Sequence, residues 1–89
     1  MQIDTRQESD KLYFLLDKNR NAVKIGVSWN PYTRLKFLQA GNSVDLDFLK
    51  VIPGTVQMEK EWHTKYAHLR ISGEWFHTAP ELLKAIREL

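Results

Sequence analysis

Along the chain the apolar positions switch between the runs and alternation of strands and the three- and four-residue steps of helices, and each switch marks an element. Leu12-Tyr13-Phe14-Leu15-Leu16 is an unbroken apolar and aromatic run and predicts a largely buried strand. Asp17-Lys18-Asn19-Arg20-Asn21 is turn chemistry, because Asn and Asp accept left-handed and Asx-turn conformations. Val23, Ile25 and Val27 then alternate with Lys24, Gly26 and Ser28, the period of a half-buried strand. The two strands are expected to pair as an antiparallel hairpin. Gly26 leaves one position without a side chain, open to close approach by another chain or a ligand.

Asn30-Pro31 is a helix start, with Asn as cap and Pro in the first turn. Tyr32, Leu35 and Leu38 supply its buried stripe, and Gly41 is the expected stop. Leu46 to Ile52 predicts a third strand, closed by Pro53-Gly54. A second helix starts at Thr55, with Met58, Trp62, Tyr66 and Leu69 as its apolar face and Ser72-Gly73 as its break. Glu74-Trp75-Phe76 reads as a short extended piece. Thr78-Ala79-Pro80-Glu81 has the pattern of a capping box ahead of a last helix carrying Leu82, Leu83 and Ile86. The order is β-β-α-β-α-(β)-α, without internal repeat or domain boundary.

Composition narrows the chemistry by exclusion. The 89 residues suffice for one small domain, expected over residues 11–89 behind a flexible tail, Met1 to Asp10. The chain has no cysteine, so disulfides, thiolate zinc sites, iron–sulfur clusters and a cysteine nucleophile are out. The apolar run Leu12–Leu16 is far too short to span a membrane, and the polar first ten residues lack the apolar stretch of a signal peptide. The expected location is the cytoplasm. A net charge of +2 says little, but no Asp or Glu occurs from Lys18 to Val44, where Lys18, Arg20, Lys24, Arg34 and Lys36 fall. That distribution suits an anionic partner.

Several constellations carry chemistry, each beside a plainer reading. Glu59 and His63 are four apart and share a helix face, as a carboxylate poised for a hard divalent cation or as an exposed rim pair. Tyr13 and Lys24 lie on paired strands. They fit a general base with a charge stabiliser, or a core tyrosine with a solvated lysine. Arg34 borders the core face of the first helix, where a guanidinium clamps phosphate or its stem covers apolar surface. His63 and His68, five apart, do not make a zinc pattern.

Taken together, these residues gain specificity from their order. Tyr13 and Lys24 are eleven apart, Arg34 follows ten after Lys24, and Glu59 comes on a helix after a third strand. In element order and spacing the chain resembles the GIY-YIG nuclease superfamily. Lys11-Leu12-Tyr13 stands where that family has GIY, and Lys24-Ile25-Gly26 stands for YIG. The closest likeness is to a compact phage and bacterial subgroup with VKIG, R-L-x-x-L-Q-x-G, E-x-x-x-H and G-E-W-F motifs. Here these read Val23-Lys24-Ile25-Gly26, Arg34-Leu35 through Leu38-Gln39 to Gly41, Glu59 to His63, and Gly73-Glu74-Trp75-Phe76. The resemblance covers about residues 11 to 80.

It implies an α+β fold with a small three-stranded antiparallel sheet flanked by helices, in the order β-β-α-β-α-α. It also implies hydrolysis of DNA phosphodiester bonds with Mg²⁺ or Mn²⁺. Carried over, Glu59 binds the metal and Arg34 holds the scissile phosphate. Tyr13 activates or orients the attacking water, Lys24 assists in place of the second tyrosine, and His63 supports the site or shuttles a proton. The departures are the lost glycine of the first motif, Lys24 for the second tyrosine, and no asparagine near the end of the fold. Glu74 cannot stand in for that neutral amide, and Trp75 and Phe76 read as packing. The identity of the base, Tyr13 or Lys24, stays open. An active site of this kind requires Tyr13, Lys24, Arg34 and Glu59 to converge on one surface. Sequence specificity is expected to be poor, or to come from a homodimer or a separate specificity protein. The alternative is the same fold used as a module that binds DNA or a protein partner with little or no cleavage.

Overall fold

The computed structural model describes residues 10–40 and 45–89. The expected tail, apart from Asp10, and the Gly41 helix stop lie outside the described residues. The first hairpin follows the sequence reading: β1 (Lys11–Asp17) pairs antiparallel with β2 (Ala22–Ser28), with Tyr13 opposite Gly26 and Leu15 opposite Lys24. Its turn is held by Asp17, whose buried carboxylate accepts from the backbone of Asn19 (3.0 Å) and Arg20 (3.2 Å) and from Arg20 Nε (2.9 Å). Asn21 closes the turn at φ 52°, the left-handed region that asparagine tolerates.

β3 (Leu46–Pro53) pairs with the other edge of β1, with a bulge between Phe14 and Leu15. The expectation of a three-stranded sheet is overturned here. Two further strands, β4 (Arg70–Ser72) and β5 (Trp75–His77), form a second hairpin. β5 pairs with β2, giving a five-stranded antiparallel sheet in the order β3-β1-β2-β5-β4. The second helix also ends earlier than Ser72-Gly73. α2 (Val56–Lys65) passes through Tyr66 into a 3₁₀ turn, Ala67–Leu69, and Gly73 (φ 54°) makes the turn of the new hairpin instead.

The sheet carries helices on both faces. Leu12, Phe14, Val23, Ile25 and Phe76 point to one face, where α2 brings Met58, Trp62 and Tyr66 and α3 (Pro80–Arg87) brings Leu82 and Ile86. Tyr13, Leu15 and Leu46 point to the other, covered by Leu35 and Leu38 of α1 (Pro31–Gln39). Tyr32 departs from its expected place in the α1 stripe. It is 60% exposed and rests edge-on against Phe48. Asn30 and Thr55 cap α1 and α2 through the backbone N–H of Thr33 and Met58. The capping box of the last helix does not form. α3 starts at Pro80 with Ala79 as its cap residue, and Glu81 instead meets His68 Nε2 at 2.9 Å. Among the described residues no helix is long and apolar enough to cross a membrane.

Candidate functional site

β5 pairs with β2 only along Ala22, Val23 and Lys24, so among the described residues the outer edge of β2 has no strand partner from Ile25 onward. The groups of Ile25 are taken up individually. Its N–H donates to the Glu74 carbonyl (2.9 Å), and its carbonyl meets His63 Nε2 (2.8 Å). His63 Nδ1 lies 3.1 Å from an Arg70 nitrogen. Guanidinium only donates, so Nδ1 accepts and Nε2 carries the proton it gives to Ile25. His63 is thereby fixed as the tautomer that caps the strand edge, with its ring against Phe76.

Lys24 is the unexpected member of this edge. The alternating pattern allowed a solvated strand lysine, yet its side chain is only 8% exposed and its ammonium is ion-paired with Glu74, fifty residues away. Glu74, in the β4–β5 turn, in turn lies near Glu59 on α2, close enough for the two carboxyls to act on each other electrostatically. Burial raises the Glu59 pKa, and the charge of Glu74 pushes it further up. Burial would raise Glu74 too, but the Lys24 hydrogen bond and charge outweigh it and hold Glu74 below its ordinary value. Glu74 is thus the carboxylate that faces Lys24, with the carboxyl of Glu59 beside it.

Tyr13 shares the sheet face of Lys24 but is 2% exposed, edge-on to Phe48, with the Lys24 ammonium 6.0 Å from its ring centre. Its phenol fills the space above Gly26: a Cβ there would meet the Tyr13 hydroxyl at 2.7 Å. The gap in β2 thus admits a side chain of this chain, not a ligand. Arg34 stands apart. It is exposed on α1 and lines a hollow with Ser28 and Trp29, and no ion pair or hydrogen bond links it to Glu59, Glu74 or Lys24 among the described residues. α1 and α2 cover opposite faces of the sheet, and it is the Glu59–Glu74–Lys24 chain that crosses the open edge between them.

A family model, that of the T5orf172 domain, matches residues 10–89, nearly the whole chain. The chain belongs to the T5orf172 domain family. No curated protein and no solved structure matches it. T5orf172 domains are phage-associated and related to nuclease-like folds, which makes a nuclease-like or DNA-binding role the coarse functional frame. Within this T5orf172 domain, the donor chemistry fits a hard divalent cation. Two carboxyls, Glu59 and Glu74, lie near each other, and Mg²⁺ favours one or two such oxygen ligands with the rest of its shell water. No set of three or more Asp, Glu or His converges among the described residues, so any cation there would keep most of its water. Glu74 is the residue that sequence reasoning missed as a site member. A signal was present: Lys24 sits between Val23 and Ile25 in a strand, and a lysine buried there needs a carboxylate partner.

Proposed function

We propose that this protein is a metal-dependent endonuclease that hydrolyses DNA phosphodiester bonds with a GIY-YIG-type site, using Mg²⁺ or Mn²⁺. The supporting observation is the Glu59–Glu74–Lys24 cluster at the open edge of β2, a buried ammonium ion-paired with Glu74 and a second carboxyl, Glu59, close by. Glu59, joined by Glu74, would hold the cation. When bound, the cation supplies positive charge to a phosphoryl oxygen and lowers the pKa of a coordinated water. Lys24, paired with Glu74, acts as fixed positive charge beside the reacting phosphate. Arg34, which the resemblance assigns to the scissile phosphate, stands on α1 outside this cluster, so the convergence of all four residues is not met and the phosphate is left to Lys24 and the cation. Tyr13, pinned over Gly26, orients the attacking water, and His63 keeps the strand edge in place. The water oxygen bonds to phosphorus, one P–O ester bond breaks, and the water proton passes to the leaving oxygen. Positioning and charge supply most of the rate in such a reaction.

A second reading draws on one observation, the burial of Tyr13 at 2% exposure, which keeps its hydroxyl away from bulk water. It is a module of the same fold that binds DNA or a protein partner with little or no cleavage. Nicking of supercoiled plasmid with Mg²⁺, Mn²⁺ or EDTA separates the two, with Glu59→Ala and Glu74→Gln run in parallel. The nuclease reading expects metal-dependent nicking that drops to the EDTA level in Glu59→Ala and is strongly reduced in Glu74→Gln. Nicking undiminished in Glu59→Ala would sink the metal assignment. Salt-sensitive DNA binding without any nicking would select the module.

A further inference from the structure

Beyond the carboxylate cluster, large aromatic side chains stand in the open beside a cation at the start of α1. Ser28, Trp29, Asn30, Thr33, Arg34 and Phe37 line a hollow of about 200 Å³ at the start of α1. Trp29 is 55% exposed and Phe37 73%. The core does not need these rings, because α1 packs on the sheet through Leu35 and Leu38. Some polar atoms of the wall are already engaged. Asn30 Oδ1 accepts from Thr33 N–H, and Ser28 Oγ accepts from Asn30 N–H. What the hollow offers a ligand is therefore the side chains of Trp29, Phe37 and Arg34, with no carboxylate in the lining. No acidic residue occurs anywhere from Lys18 to Val44.

Rings with a cation and no anion complement a ligand that is flat, aromatic and attached to negative charge. The hollow is smaller than the roughly 300 Å³ at which drug-sized pockets begin, which suits a single ring system. Its location supplies the connection. Ser28 has the same strand parity as Lys24 and Gly26, so the hollow opens on the sheet face of Lys24, about 13 Å farther along β2.

We propose that the Trp29–Arg34–Phe37 hollow seats one unstacked nucleobase, with Arg34 on its adjoining phosphate, so that this protein takes single-stranded or locally melted DNA. That DNA is the substrate rests on the nuclease reading; the base seat itself does not. Stacking on a ring is available to every base, so the seat selects unpaired structure and not sequence.

Fluorescence anisotropy in EDTA, where no cleavage occurs, tests this with labelled oligothymidine, an abasic oligomer of equal length and a duplex. Oligothymidine is expected to bind about tenfold more tightly than the abasic strand. Trp29→Ala and Phe37→Ala should each erase most of that margin and leave abasic binding unchanged, while Trp29→Phe retains it. Both rings are exposed, so circular dichroism melting of each variant should match the parent. Equal affinity for the abasic strand overturns the proposal, as does an unchanged margin in both alanine variants. Sedimentation that shows a self-association lost in Trp29→Ala, with DNA binding intact, would make the hollow a protein interface instead. Base-dependent binding without plasmid nicking would remove the nuclease reading and keep the seat. Nicking with base-independent binding would do the reverse.

Discussion

At Gly26 the backbone of β2 and the phenol of Tyr13 share space that a methyl group would need. A Cβ would lie 2.7 Å from the hydroxyl and 2.8 Å from the ring carbon that carries it. Tyr13 is buried, so its ring has little room to swing aside. Gly26→Ala is therefore expected to cost about 1–3 kcal/mol in urea unfolding, the usual range for overpacking, and to lower any nicking that depends on the Tyr13 hydroxyl. A midpoint matching the parent would show that the ring yields freely. At this scale the sequence told a good deal. The expected hairpin allowed Tyr13 and Lys24 to share a face, which the register confirms, and α2 spacing put Glu59 and His63 together. It did not reveal the burial of Lys24, because that depends on Glu74 arriving from fifty residues away.

Elements were legible where they were long. The four-, four- and three-residue steps of Met58, Trp62, Tyr66 and Leu69 match the face that α2 and its following turn bury. The hairpin β4–β5 was only half visible: each strand has three residues, and all of Arg70–Ser72 is exposed, leaving no alternation to read. The β1–β2 turn was legible, and its chemistry makes it sensitive to acid. Burial opposes ionisation of Asp17, but the Arg20 hydrogen bond and charge, with two backbone N–H donors, hold its pKa below the ordinary 3.8. A lowered pKa stabilises fully above the unfolded value, and that contribution is lost as pH falls through the folded value. Glu59, raised by burial and by Glu74, has the opposite sign, its contribution fading as pH rises through its own value. Asp17→Asn should cost about 1–3 kcal/mol near neutrality, since it breaks the Arg20 pairing and buries an amide N–H₂ group. It should also flatten the loss of stability below the ordinary carboxylate range. A denaturation series across acid pH that runs parallel for parent and variant would contradict this.

Across the whole molecule, the candidate site is made where distant parts of the chain meet. β1 lies inside the sheet between β2, which follows it directly, and β3, which follows after one helix, whereas β5 reaches β2 only after most of the chain. Long closures carry the larger entropic cost and form later. The order of assembly follows: the β1–β2 hairpin and β3 first, the β4–β5 hairpin last. Because Glu74 travels with that last hairpin, the lysine gains its partner at the end of folding and loses it in the first partial opening. The Ile25 amide, bonded to the Glu74 carbonyl, is a natural reporter. In native-state hydrogen exchange it should exchange faster than the slowest amides of β1, through an opening that leaves the central strands closed. If it exchanges as slowly as they do, site and core open as one unit. A chain in which the two come apart would be switched off by undocking one short hairpin long before it unfolds.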